Sequence, residues 1–171
     1  NDGNSDYCGI TFSCYRDGIN GLTFANTPYG EQYDARVSPS NEEDITWNAV
    51  WYVKCQVNEQ GWVSEYKIPF AALRFPDTPV QEWGINFFRE VRRFRHHAFW
   101  RGVDPTKAGY LTQMGILRGI ENIQAPSRFF LYPYASAYQN FSEKSSGGYI
   151  RESSWNAGMD VKIGLNDAFT L

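Results

Sequence analysis

Short runs of alternating side chains, broken at near-regular intervals by glycine-containing turns, constrain this chain more than any other feature. From Tyr7 to Tyr15, Cys8, Ile10, Phe12 and Cys14 alternate with Tyr7, Gly9, Thr11 and Ser13, the period-two pattern of a half-buried strand. The segment "RDGING" supplies the positive φ angles of a tight turn. "LTFANTP" and "EQYDARV" then read as two further strands around Tyr29-Gly30. Strands spaced about 8 to 12 residues apart predict an all-β sandwich.

The middle of the chain repeats the pattern. After the polar loop "SPSNEEDITW", Trp51, Val53, Cys55 and Val57 share one face of a strand, and "NEQG" closes a hairpin into Trp62, Ser64, Tyr66 and Ile68. Pro69 ends that strand because it donates no ladder hydrogen bond. "FAAL" is too short to be an independent helix but long enough for one turn that drops Phe70 and Leu73 onto the core. A strand from Trp83 to Val91 follows, with Ile85, Phe87 and Val91 on one side.

Composition agrees with this reading and excludes several functions. Aromatic residues make up 17% of the chain, and 15 glycines and 8 prolines accompany only 2 methionines, which suits strands and tight turns better than a helical bundle. A net charge of −3 argues against a general nucleic-acid partner, which needs an excess of Lys and Arg on one face. No apolar run approaches the roughly 18 residues of a membrane helix, and no signal peptide opens the chain. The first residues run almost directly into a strand, so both ends read as cut from a longer protein.

Cys8, Cys14 and Cys55 are too few for a disulfide framework and lack C-x-x-C spacing. Cys8 and Cys14 lie roughly 20 Å apart at about 3.3 Å per strand residue, so they do not bridge each other. Either meets Cys55 if their strands face across the sandwich, and buried free thiols are the alternative.

Past Arg101 the texture changes. Residues 103–127 read as a linker, and "RFFLYPYASAYQNF" and "SSWNAGMDVKIGLNDAFTL" alternate apolar with small or polar side chains around a Ser/Gly turn. That alternation is shared by outer-membrane barrel strands and by an ordinary hairpin packed on a sandwich. The domain reading is therefore a sandwich over 1–102, a linker over 103–127 and the start of a C-terminal β region over 128–171.

The motif D-x-x-W-x-x-V-W at Asp44, Trp47, Val50 and Trp51 is followed by G-W-x-x-E-x-x-I-P-F-x-x-L-R-F from Gly61 to Phe75. W-G-x-N-F-x-R-x-x-R-R then runs from Trp83 to Arg93. Together they resemble a family 9 type carbohydrate-binding module of the DOMON-like superfamily. In particular they are similar to the kind that stands N-terminal to a barrel-like domain of unknown function in bacterial proteins. The resemblance covers about residues 5–102, continues more thinly to the end, and lacks the family's Asp-rich opening strands. It implies an antiparallel jelly-roll-like sandwich with a short helical turn. It also implies a non-catalytic role binding an oligo- or polysaccharide in the periplasm, outer membrane or surface of a bacterium. Two other roles fit the same residues: a docking domain for the protein's own C-terminal barrel-like region, and an accessory domain of a glycoside hydrolase.

Glycan sites pair aromatic faces with planar hydrogen-bonding groups. Trp51 and Trp62 fall on apolar strand faces and are assigned to the core. Trp47, beside the polar loop, and Trp100, after the arginine block, are the candidate stacking rings. Arg89, Arg93 and Asn86 are the candidate polar partners, because a guanidinium donates paired hydrogen bonds to vicinal hydroxyls or a uronate. The same cations have a structural alternative in pairing with Glu65 and Glu90. His96-His97 lacks the spacing of a zinc site. Related modules often carry structural calcium, for which Asp44 and Glu43 are the candidates, although the loop lacks EF-hand order. Glu65 is the one carboxylate named in the G-W-x-x-E-x-x-I-P-F segment, whereas glycoside hydrolysis needs two, roughly 5–9.5 Å apart.

Overall fold

In the computed structural model the protein is all-β and antiparallel, and residues 5–107, 109–124, 129–143 and 147–163 are described. It divides into two compact units, 1–126 and 127–171.

The first unit is sandwich-like. Its larger sheet is built from β1 (Tyr7–Ser13), β2 (Gly21–Asn26), β3 (Gln32–Val37), β4 (Glu43–Asp44), β7 (Val80–Val91), β8 (His96–Phe99) and β9 (Gly115–Glu121). The order is β4-β3-β2-β1-β7-β8, with β9 also on β7. β9 pairs with Val80–Ile85 and β8 with Phe88–Val91, so the two share one edge of β7 end to end. The second layer is the hairpin of β5 (Tyr52–Asn58) and β6 (Gly61–Lys67).

Strand alternation sorts the larger sheet into two faces. Ile10 and Phe12 of β1, Phe24 of β2, and Trp83 and Ile85 of β7 point to one side and form the core with Trp51, Leu73 and Phe75. Val53, Tyr66 and Ile68 pack against this cluster from the second layer. A polar seam fixes how the layers meet. Asn26, fully buried on the core face, donates to Ser64 Oγ at 2.9 Å and to the Thr27 carbonyl at 2.7 Å, and the Tyr66 hydroxyl bonds its Oδ1. A one-residue slip of β6 turns Ser64 and Tyr66 away and strands that buried amide, so the seam specifies register as well as adding stability.

The one-turn segment after Pro69 forms as a 3₁₀ turn over Phe70–Ala72. Leu73 is buried, but Phe70 remains 43% exposed and touches Phe75 and Trp83 edge-on from the rim. All three cysteines are free thiols, with Cys14 in the core and Cys8 and Cys55 half-buried near Asn26.

Residues 103–127, expected as a linker, are largely part of the first unit. They contain a 3₁₀ turn at Tyr110–Gln113 and strand β9. β9 escapes sequence reading because it is an edge strand on which Ile116 and Arg118 are both exposed and two glycines interrupt the alternation. Leu111 of the turn is buried, and a Cβ on Gly21 would sit 2.6 Å from its Cδ2. The missing side chain at Gly21 is thus what lets the turn lie down on β2, on the face opposite the core.

The second unit is one long hairpin, β10 (Phe129–Glu143) and β11 (Tyr149–Ile163), in unbroken register. Leu131, Pro133, Ala135 and Ala137 oppose Val161, Met159, Ala157 and Trp155 on one face. Tyr132, Ser136, Tyr138 and Asn140 oppose Asp160, Asn156, Ser154 and Glu152 on the other. Gly158 opposes Tyr134, whose ring lies across it so closely that a Cβ there would fall 2.3 Å from Cζ. Among the described residues no helix is long and apolar enough to cross a membrane, a statement that does not extend to strands.

Candidate functional site

A groove of about 520 Å³ lies on the face of the larger sheet turned away from the core. Its floor is the outward side of β1 and β2. Thr11 and Thr23 are both buried there and share a hydrogen bond at 3.0 Å, with Ala25 alongside.

One wall is a continuous series of rings. Tyr7 meets Phe88 edge-on at 6.2 Å, Phe88 meets His97 at 5.9 Å, His97 stacks on Phe99 at 4.5 Å, and Phe99 meets Tyr110 at 5.6 Å. Strand pairing explains the alignment, because Phe88 opposes Phe99 and Glu90 opposes His97 on the same side. Gly9 makes room for the wall: a Cβ there would fall 2.4 Å from Phe88 Cζ and 2.7 Å from the Phe24 carbonyl.

The other wall carries the polar groups. The Tyr33 hydroxyl donates to Glu43 at 2.5 Å, and Thr27 Oγ1 donates to Glu31 at 3.2 Å. At the mouth, Asp104 and Lys107 form an ion pair at 3.4 Å. Hydrogen bonds from the Thr106 hydroxyl and amide hold the Asp104 carboxyl below the usual aspartate range. Asn41 Oδ1 accepts from the Tyr110 amide at 3.0 Å and so ties the loop before β4 to the turn that closes one end. Burial raises the pKa of the Tyr110 hydroxyl, Thr11 and Asn86 partly oppose the rise, and the Glu43 charge adds to it. The hydroxyl therefore stays protonated at neutral pH.

The residues nominated from sequence are not brought together. Trp47 is half-buried and packs edge-on against Phe24 at 5.8 Å, part of the core rather than a stacking platform. Trp100 is 65% exposed, but it sits on the core side of β7 against Phe87 at 5.9 Å, with its ring above Gly115. Arg89 alternates to that same side and is exposed. Arg93 is exposed in a 3₁₀ turn with its guanidinium over the Phe94 ring. Asn86 points to the groove side but is completely buried, where it holds the Arg101 backbone.

Of the expected acid partners for the cations, Glu90 approaches His97 at 3.8 Å. Arg16 and Arg118 both pair with Glu82. As consecutive strand residues, Glu43 and Asp44 point to opposite faces. Glu43 enters the groove, whereas Asp44 accepts from the Thr46 amide and hydroxyl. The two carboxylates therefore do not converge on one ion, and among the described residues no three His, Cys, Asp or Glu side chains gather in a metal-binding cluster.

Sequence reading missed the groove because the rings of its wall come from four separate segments, and several sit in stretches without clean alternation. His96–Phe99 was hidden inside the arginine block, and Tyr110 inside the expected linker. One local signal was present: Gly9 sits in the middle of an otherwise bulky strand, a position that marks close approach by a neighbour.

Residues 125–171 match a family described as a domain of unknown function, DUF5916. The matched span begins within two residues of the start of the second compact unit. No curated protein matches the chain, and no solved structure does.

Proposed function

We propose that the first unit is a non-catalytic glycan-binding module whose site is the groove walled by Tyr7, Phe88, His97, Phe99 and Tyr110. The observation that carries this reading is the joining of that ring series to an opposite wall of oriented polar groups, Tyr33 with Glu43 and Thr27 with Glu31. Sugars present apolar C–H faces and a rim of hydroxyls, so stacking rings and planar acceptors on a rigid sheet suit them. The groove's volume falls within the roughly 300–1,000 Å³ of small-ligand sites. The motif resemblance to family 9 carbohydrate-binding modules supports the same reading, and with it a proposed location in the periplasm, outer membrane or surface of a bacterium. A calorimetric screen of oligosaccharides tests it, with Phe99→Ala as the control variant. Binding that Phe99→Ala abolishes while the fold persists supports the module, and no binding by any sugar at millimolar concentration overturns it.

A second reading concerns the C-terminal hairpin. Its strands, at 15 residues each, exceed the roughly 9–11 that a tilted membrane strand needs. One face is apolar from Leu131 to Ala137 and the other polar, the dyad pattern of outer-membrane barrels. An isolated two-stranded hairpin is marginal in water, so Phe141 and Trp155, exposed on the apolar face, call for a covering surface. On this reading the sandwich serves as an accessory or docking domain of a barrel.

A further inference from the structure

Resting on the glycan-binding reading, we infer that the groove selects sugars bearing a protonated amine over neutral or acidic ones. The charges that line it decide this. Glu31 enters from the turn between β2 and β3, Glu43 from β4, His97 from β8, and Asp104 and Lys107 from the segment before the Tyr110 turn. Lys107 is tied to Asp104 at 3.4 Å. His97 Nδ1 lies 3.8 Å from Glu90, its cross-strand partner on the same face. Glu31 and Glu43 are therefore left without a cation among the groove-lining groups. Their neighbours, Thr27 and Tyr33, are hydroxyl donors that orient the carboxylates and leave their charge in place.

Two carboxylates, one beyond each end of β3, with a wall of aromatic rings opposite, are chemistry for the successive ammonium groups of an amine-bearing chain. The ring faces carry negative quadrupole potential and attract a cation within about 6 Å of the centroid. The carboxylates accept its N–H groups in charge-assisted hydrogen bonds. A uronate entering the same space meets like charge and gains no guanidinium partner, because Arg89 and Arg93 lie outside the groove. The ligand class is thus an oligosaccharide of 2-amino sugars with free amines.

The test is calorimetry on the intact chain with short oligomers of glucosamine, N-acetylglucosamine, glucose and glucuronic acid of equal length. Glucosamine oligomers bind about tenfold more tightly than the glucose series, and the advantage falls with added salt. Glu31→Gln and Glu43→Gln, both at exposed positions, remove that advantage and leave the melting temperature unchanged. Equal binding of the glucose and glucosamine oligomers, or an advantage that survives both substitutions, overturns the amine preference while leaving the glycan module in place. Preference for the uronate overturns it as well. Binding of none of the four overturns both.

Discussion

Asn86 grips the backbone of Arg101 from both sides: its Oδ1 accepts from the Arg101 amide at 2.8 Å, and its Nδ2 donates to the Arg101 carbonyl at 3.0 Å. The amide side chain thus substitutes for a strand partner just beyond the end of β8, where regular pairing with β7 stops. Completely buried, it anchors the chain as it leaves the sheet for the segment that closes the groove. Asn86→Ala leaves two backbone groups without their partner, and the expected destabilisation is about 2–3 kcal/mol. Urea unfolding measures it, and a loss below about 0.5 kcal/mol shows that water replaces the clamp at no cost.

Gly9 sets the position of Phe88. Because a Cβ at residue 9 would overlap the Phe88 ring, the Phe24 carbonyl and Ala25 together, Gly9→Ala destabilises by about 1–3 kcal/mol. It also weakens ligand binding, since the displaced ring stands in the groove wall. Phe88→Ala on the Gly9→Ala background restores part of the stability and none of the binding.

Burial of Cys14 in the core pushes its thiol from 9.0 up to about 12. The folded state therefore keeps a proton that the unfolded state releases, and the contribution is complete below pH 9.0 and lost as pH rises toward 12. Stability falls by about 1.4 kcal/mol per pH unit across that window from this group alone, and Cys14→Ala flattens the slope. Mass-spectrometric alkylation of the native protein at neutral pH labels Cys8 and Cys55 before Cys14.

The two candidate ring sets are separable by substitution. Phe99→Ala removes the ring that stacks on His97 and touches Tyr110, and is expected to weaken glycan binding about tenfold or more. Trp100→Ala removes a ring on the opposite face and leaves binding unchanged. The reverse result transfers the site to the core-side rim of β7.

Trp155, 83% exposed on the apolar face of the hairpin, reports on the second unit. If that face meets lipid, its fluorescence shifts to the blue in vesicles and is quenched by brominated acyl chains. An unshifted spectrum at saturating lipid argues for a protein cover instead.

How much of this was legible beforehand divides along a physical line. Strands that turn one face to the apolar core write an alternation into their own residues, so β1, β2, β5, β6 and β7 were readable, as was the turn after Pro69. Edge strands β8 and β9 do not: His96 and His97 are both exposed, as are Arg118 and Gly119, and a two-sided polar strand looks like a loop. The site was less legible still. Tryptophan identity pointed to Trp47 and Trp100, but whether a ring stacks on ligand or on Phe24 is decided by contacts between β2 and a loop more than twenty residues away. The groove is assembled from residues that only the sheet order brings side by side.

The most direct measurement maps the site without presuming a variant: titration of a glucosamine oligomer into the isotope-labelled chain, followed by backbone amide shifts. The account predicts perturbations concentrated at Tyr7, Thr23, Tyr33, Phe88, His97 and Phe99, with Trp47 and Trp100 silent. Shifts centred on Trp100 and Arg89, or none at saturating ligand, contradict it.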